Sequence, residues 1–234
     1  MELVRTRELL ERYLPRPPAR VLDVGGGTGV HAVWLASRGY DVHLVDPMAA
    51  HVIQARAHGG FTATEGDARR LSEAEASADA VLLLGPLYHL VQRPERLHAL
   101  SEAKRVLRPG GVMATAAIGR YMVLLTHCAD GDLDPERMRD LSSTLATGRY
   151  DGGEGFTEAY LHRPDELSGE LGEAGFEGVE VFGLEGPAWP AVDAAGLESE
   201  RHLEAALVCA RAVEQDPALL SLSAHLLAVG RAPQ

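Results

Sequence analysis

The stretch VLDVGGGTG, Val21–Gly29, sets glycine at four of five positions directly behind a short apolar run that carries a single acid. Glycine at that density weakens the interior of a helix or strand. The segment therefore reads as the end of a buried strand, a tight turn and the start of a helix. Such a turn lets a ligand touch bare backbone and meet the N-terminus of the following helix. The chain then repeats the pattern. Arg20–Val24 reads as a strand, Val30–Arg38 as a helix, Asp41–Val45 as a strand, Pro47–His58 as a helix with Pro47 in its first turn, and Phe61–Thr64 as a strand. Asp79–Leu84 follows as a fourth strand, Pro94–Leu107 as a helix, Arg108–Gly111 as a turn and Val112–Ile118 as a fifth strand. Alternating units of this size predict an α/β fold, a parallel sheet with helices on both faces.

The alternation breaks between about Gly119 and His162. Tyr121–Tyr160 holds mixed helical patterns, YMVLLTHCA and PERMRDLSSTLATG, and a glycine-rich DGGEG at Asp151–Gly155 that reads as a mobile lid tip. Regular structure resumes with a helix over Pro164–Ala174 and a strand over Val179–Gly183. After the loop GLEGPAWPAVD come a helix over Leu197–Glu214 and a strand over Ser223–Gly230. Residues 119–162 thus read as a cap inserted into one domain spanning 1–234, a length suited to a single buried core.

Charge and composition narrow the partners. A formal net charge of −12 argues against nucleic acid as the main partner, because a phosphate backbone demands cations. No run approaches the roughly 18 apolar residues of a membrane span. The opening MELVRTRELLERYLPRPP is charged and helix-like, without the apolar core of a secretory signal, so the cytoplasm is the expected location. Cys128 and Cys209 are too few and too scattered for a disulfide framework or zinc site, and read as buried or idle thiols. No His/Asp/Glu cluster shows metal-ligand spacing, so no metal is expected. A small-molecule substrate fits best, and a homodimer is one assembly the sequence allows.

The glycine loop decides among ligand classes. A phosphate-binding P-loop ends in Gly-Lys-Ser/Thr, and no lysine is present here. Gly27-x-Gly29-x-x-Ala32 formally matches a dinucleotide loop, but its first glycine falls late for a strand end. The better-phased pattern is Asp23-x-Gly25-x-Gly27-x-Gly29. With its neighbours it resembles the class I S-adenosylmethionine-dependent methyltransferases. The further matches, in the family's order, are HLVDPM ending in Asp46-Pro47-Met48, EGDAR with Asp67, and the turn RVLRPGGVM. The resemblance is close over Arg20–Gly119 and looser over the last strands.

That resemblance implies a Rossmann-like, seven-stranded, mostly parallel sheet, its last strand antiparallel and inserted beside the fifth, with a helical cap insertion. It implies S-adenosyl-L-methionine as cofactor and S-adenosyl-L-homocysteine as product. Asp23, Gly25, Gly26, Gly27 and Gly29 would hold the cofactor's amino-acid end. Asp46 would accept from the ribose hydroxyls, as a carboxylate can accept from two donors. Asp67 would take the adenine amino group and Ala68 would donate to the ring, beside Gly66. Asp67 alternatively reads as a helix N-cap. Pro47 would also border the cofactor, and Met48 and Val45 would wall the adenine, though either also reads as plain core.

Leu84 and Gly85, in GPLYHL, would lie under the transferring methyl group. Members that modify amines and bases carry Asn/Asp-Pro-Pro-Tyr at this place; Gly85 departs from that motif. His89 is the candidate general base, since its ordinary pKa lies near neutrality; it equally reads as a histidine that shapes the pocket. Tyr88 reads as pocket lining or core. Tyr121, His127, Tyr160 and Trp189 are the candidate acceptor contacts, and Arg120, Tyr150, Glu158 and His162 lie in the same insertion. The function implied is methyl transfer to oxygen or nitrogen, with carbon also open, of a small molecule, by in-line displacement governed by positioning. An NAD-dependent oxidoreductase is the alternative. It lacks a Tyr-x-x-x-Lys pair, as Lys104 is the sole lysine. A non-catalytic cofactor-binding partner protein is another.

Overall fold

β1 (Arg20–Val24) is the first strand of the computed structural model, which describes residues 1–152, 157–195 and 200–234. It follows helix α1 (Glu2–Tyr13) and leads into α2 (Val30–Ser37), β2 (Asp41–Asp46), α3 (Ala49–His58) and β3 (Thr62–Glu65). Next come β4 (Ala78–Leu83), a short helix α4 (Pro86–His89), α5 (Arg93–Val106) and the long β5 (Leu107–Gly119). The remainder holds α6 (Met122–Asp130), α7 (Pro135–Thr147), β6 (Arg149–Tyr150), β7 (Ala159–His162), α8 (Pro164–Glu173), β8 (Glu177–Gly183), α9 (Trp189–Ala195), α10 (Glu200–Val213) and β9 (His225–Arg231). The sheet order is β3-β2-β1-β4-β5-β7-β6, and β9 pairs with both β5 and β8.

The chain divides into two compact units, and β5, β8 and β9 contribute residues to both. One unit comprises Tyr13–Ala116, Ser168–Glu180 and Ala228–Gln234. In it β3, β2, β1, β4 and β5 run parallel, with Asp23 of β1 opposite Leu44 of β2 and Leu82 of β4. Helices cover both faces of such a sheet, so the strands read as apolar runs rather than alternations. Helix α5 turns Arg96, Ala99, Leu100, Ala103 and Val106 inward, the three-and-four spacing of one helical face.

The other unit comprises Met1–Arg12, Ala117–Leu167 and Val181–Leu227. The end of β5 pairs parallel with β7 (Ile118 opposite Leu161), and β7 pairs antiparallel with β6. Asp134 caps α7 by accepting from the backbone N–H groups of Glu136 and Arg137, and Gly148 closes the helix in the left-handed conformation. The fully buried Arg5 of α1 is held between Glu8 and Glu214.

β9 runs antiparallel to β5. Gly119 N–H donates to Ala224 O, and Ala232 N–H donates to Gly111 O, so partner numbers move in opposite senses. The expected seven strands are therefore present with the last beside the fifth, and the β6–β7 hairpin adds two. Other expectations are corrected. Helix α3 begins at Ala49 with Met48 as its N-cap, so Pro47 lies outside the first turn; the Asp46 carboxylate takes the Met48 N–H and holds the chain extended there. Arg108–Gly111 is part of β5 rather than a free turn. The segment GLEGPAWPAVD holds a short 3₁₀ turn (Gly186–Ala188) and α9. Cys128 is exposed and Cys209 partly so; neither is buried. Gly153–Gly155 of DGGEG, and the start of the helix expected from Leu197, lie outside the described residues. Among the described residues no helix is long and apolar enough to cross a membrane.

Candidate functional site

The acid within VLDV is buried with an orphan oxygen. Asp23 is 1% exposed, and its Oδ2 has no hydrogen-bond partner. Burial, and then the nearby Asp46, push its carboxyl up to about 7, against one backbone hydrogen bond from Ala32. A buried carboxylate without a partner is costly, so this group suits a ligand that brings positive charge. The loop leaves room for one. A Cβ on Gly26 would stand 2.7 Å from Asp23 Oδ2, so glycine keeps that approach clear.

Gly25 sits at φ +71, a region that favours glycine. Its N–H donates to Val45 O at 2.7 Å, and a Cβ there would meet Pro86 Cγ at 2.6 Å. The glycine loop is thereby pressed against Gly85-Pro86 at the end of β4. Gly29 caps α2, and its N–H donates to Gly26 O.

Asp46 ends β2 at 4% exposure and ties the loop to the next helix. Its Oδ2 accepts from Gly27 N–H at 2.9 Å; its Oδ1 accepts from Met48 N–H at 2.9 Å and lies 3.0 Å from His51 Nδ1. Gly66 N–H donates to Asp46 O at 3.1 Å. A Cβ on Gly66 would stand 2.7 Å from Val45 Cγ1, so the third strand's end packs on the second's. Val45 is core and Met48 is open to solvent. Asp67 is held by the Arg69 fork, with Nε at 3.0 Å from Oδ1 and Nη2 at 2.6 Å from Oδ2. This pairing lowers its carboxyl pKa. No helix begins at Asp67, which forms a bridge with Arg70, so the N-cap alternative is corrected. Ala68 is buried beside it.

Behind Leu84 and Gly85, GPLYHL folds into α4, anchored by the fully buried Leu87. Tyr88 is half-buried, and its ring lies 4.6 Å from that of His89. His89 keeps an open edge, while partial burial of its ring lowers its pKa, so the neutral form prevails at neutral pH. A group that sequence reasoning missed holds this turn. Arg96 of α5, 1% exposed, donates to the carbonyls of Leu90 and Val91 at 3.0 and 2.8 Å and forks onto Glu170 of α8 at 2.6 Å. Only an arginine at an inward helix position hinted at it.

The remaining candidates belong to the other unit, and each has its own surroundings there. Tyr121 caps α6. His127 bonds Asp132 at 2.9 Å. Tyr160 packs edge-on against the buried His162, ring centroids 4.7 Å apart, with the Arg120 guanidinium 5.7 Å from its centroid. Arg120 itself is a buried clamp, donating to Leu161 O and Leu145 O and pairing with Glu166 at 2.6 Å. Glu158 pairs with Arg149. Trp189 is buried, its indole N–H on Leu222 O at 2.9 Å, and it lines a cavity of about 330 Å³ with Met122 and Thr126 of α6. Tyr121, His127 and Tyr160 are not among the described residues that line it. The fold also gathers Glu2, Glu185 and His225, with one ligand atom of each within 4.8 Å of the others, a grouping hidden from sequence spacing.

Known proteins agree with this frame. A family model described as a methyltransferase domain matches residues 21–111. An uncharacterized methyltransferase of Mycobacterium tuberculosis is 41% identical over 105 residues, 44% of this chain and 42% of that protein. The chain thus spans less than half the length of that relative. The 27-O-demethylrifamycin SV methyltransferase of Amycolatopsis mediterranei is 29% identical across 92% of this chain and 79% of its own. The crystal structure of a SAM-dependent methyltransferase from Methanosarcina mazei shares the fold, with a TM-score of 0.66 at 19% identity over 96% of this chain and 97% of that one. The fold is that of a Rossmann-like methyltransferase. Over residues 21–111 the chain matches the methyltransferase-domain family, and the relatives and solved structures similar to it include S-adenosylmethionine-dependent methyltransferases.

Proposed function

We propose that the protein binds S-adenosylmethionine and transfers its methyl group to oxygen or nitrogen of a small molecule, with carbon as a further acceptor class. The observation that carries this reading is the buried Asp23 carboxyl, with an orphan oxygen beneath a bare glycine loop and Asp46 at the next strand end. Asp23 supplies a negative partner for the amino-acid end of the cofactor, with Gly25, Gly26, Gly27 and Gly29 leaving the backbone open to it. Asp46 accepts from the ribose hydroxyls, and Asp67 receives the adenine amino group once Arg69 shares it. Gly66, Ala68, Pro47 and Met48 border the base, and Leu84 and Gly85 border the reacting end. The cofactor, when bound, supplies an activated methyl group on a sulfonium.

The chain's own work is then to orient the acceptor, exclude water and, for acceptors that must lose a proton, accept it at a neutral His89 ring nitrogen. Residues 119–162 serve as the acceptor-reading cap of a single domain. A small-molecule acceptor accords with the net charge of −12 and with the printed activity of the rifamycin-modifying relative. Such chemistry belongs in the cytoplasm, where the cofactor is made available. The test is a screen with radiolabelled methyl donor across phenols, amines and carboxylic acids. Label transfer to at least one acceptor class is expected. No transfer by a protein that binds the cofactor tightly points instead to a non-catalytic binding partner.

A further inference from the structure

The cavity of about 330 Å³ is formed within the unit of Met1–Arg12, Ala117–Leu167 and Val181–Leu227. Met122, Trp189 and Leu203 give it apolar walls, while Glu185, Asp193 and His225 line its polar side. Glu185 is 4% exposed and could not remain there as an unsupported charge. Burial alone would raise its pKa, but hydrogen bonds from His225 hold it below the ordinary value: backbone N–H at 2.9 Å and ring Nδ1 at 2.7 Å. His225 in turn is carried above its ordinary value by Glu185, against the cost of burial. The pair thus favours a carboxylate on Glu185 and a proton on His225, each satisfying the other. What remains on the wall is acidic. Asp193 is raised by burial, then by Glu185 and Asp130, and Glu2 stands 4.0 Å from His225. Against these carboxylates stands the Met1 amino group. Acids outnumber cations around a pocket that also offers an indole and a thioether.

We propose that this cavity binds a small organic ammonium compound, its charged head on Asp193 and Glu2 and its apolar body against Trp189, Met122 and Leu203. A hydrogen-bonded charge over carboxylates beside an aromatic face is a favourable setting for such a cation. A bare metal ion fits less well. At roughly 30 Å³ per water-sized atom, the cavity has space for about ten, and the His225 nitrogen nearest the acids is already bonded to Glu185. The binding is measurable without turnover.

The test is calorimetry with phenethylamine, phenethyl alcohol and hydrocinnamate, in the presence of saturating S-adenosylhomocysteine so that the glycine-loop site cannot contribute. Phenethylamine is expected to bind at least tenfold tighter than the alcohol, and hydrocinnamate not at all. Asp193→Asn, at the exposed rim, should weaken amine binding about tenfold, as should Glu2→Gln. Leu203→Phe, which fills the cavity, should abolish it, with circular dichroism confirming a folded chain. Equal affinity for amine and alcohol, no amine binding, full affinity in Leu203→Phe, or stoichiometric binding of manganese or zinc that displaces the amine would each overturn the proposal.

Discussion

Replacing Asp23 by asparagine removes a charge that the unliganded protein holds at a cost. The carboxyl moves from its ordinary value of 3.8 to about 7 on folding. At 1.36 kcal/mol per unit this corresponds to roughly 4 kcal/mol, an upper figure for a fully buried group. The sign follows from proton counts. Between about pH 4 and 7 the folded chain holds a proton on Asp23 that the unfolded chain has released. Stability therefore falls as pH rises through that window, and the whole cost is present above about pH 7. Urea unfolding of the unliganded protein at several pH values measures it. Asp23→Asn should match wild type near pH 4 and become more stable by up to about 4 kcal/mol near pH 8. Saturating S-adenosylhomocysteine should reverse the order, because only the carboxylate gains from a cationic partner. Parallel pH curves for the two proteins would refute the reasoning.

Three further outcomes are expected. Gly25→Ala places a side chain at φ +71 and 2.6 Å from Pro86 Cγ. It should destabilise the fold by about 2–4 kcal/mol by urea unfolding and weaken cofactor binding. Arg96→Ala removes the closest partner of the buried Glu170 and leaves it to Arg93, whose Nε lies 3.8 Å away; it should cost about 3–5 kcal/mol, much of it recovered in the Arg96→Met, Glu170→Leu double variant, which replaces the pair by apolar groups. His89→Ala should lower turnover far more than cofactor affinity. Wild-type turnover should decline as pH falls through a value below 6.5, where the lowered His89 pKa lies, and the variant should lose that limb.

The first half of the fold was legible because its signals are local. An apolar run, a glycine turn and a helical stripe each fall within a few residues, so β1, α2, β2, β3, β4 and α5 could be located from the chain alone, while the four-residue α4 was missed and α3 begins at Ala49 rather than at the expected Pro47. What stayed hidden was made by distance or by short elements. Arg96 and Glu170 are 74 positions apart, and nothing local announces that one anchors the turn carrying His89. Glu185 and His225 meet only because β8 and β9 pair. The β6–β7 hairpin matches Arg149 to Tyr160 and Tyr150 to Ala159 alone, too short to show an alternating pattern. In GPAWP the prolines suggested a loop, yet Pro190 falls in the first turn of α9, where proline is at home. The Arg69 fork on Asp67 was adjacent in sequence, but its closure depends on a turn the residues do not dictate.

The proposed function requires that the glycine loop and its strand-end acids hold S-adenosylmethionine rather than a nicotinamide cofactor. Titration calorimetry with S-adenosylhomocysteine and with NAD, on wild type and Asp46→Ala, tests it most directly. The expected result is one-to-one binding of S-adenosylhomocysteine by wild type, its loss or marked weakening in Asp46→Ala, and no heat from NAD. Binding of NAD without S-adenosylhomocysteine would contradict it.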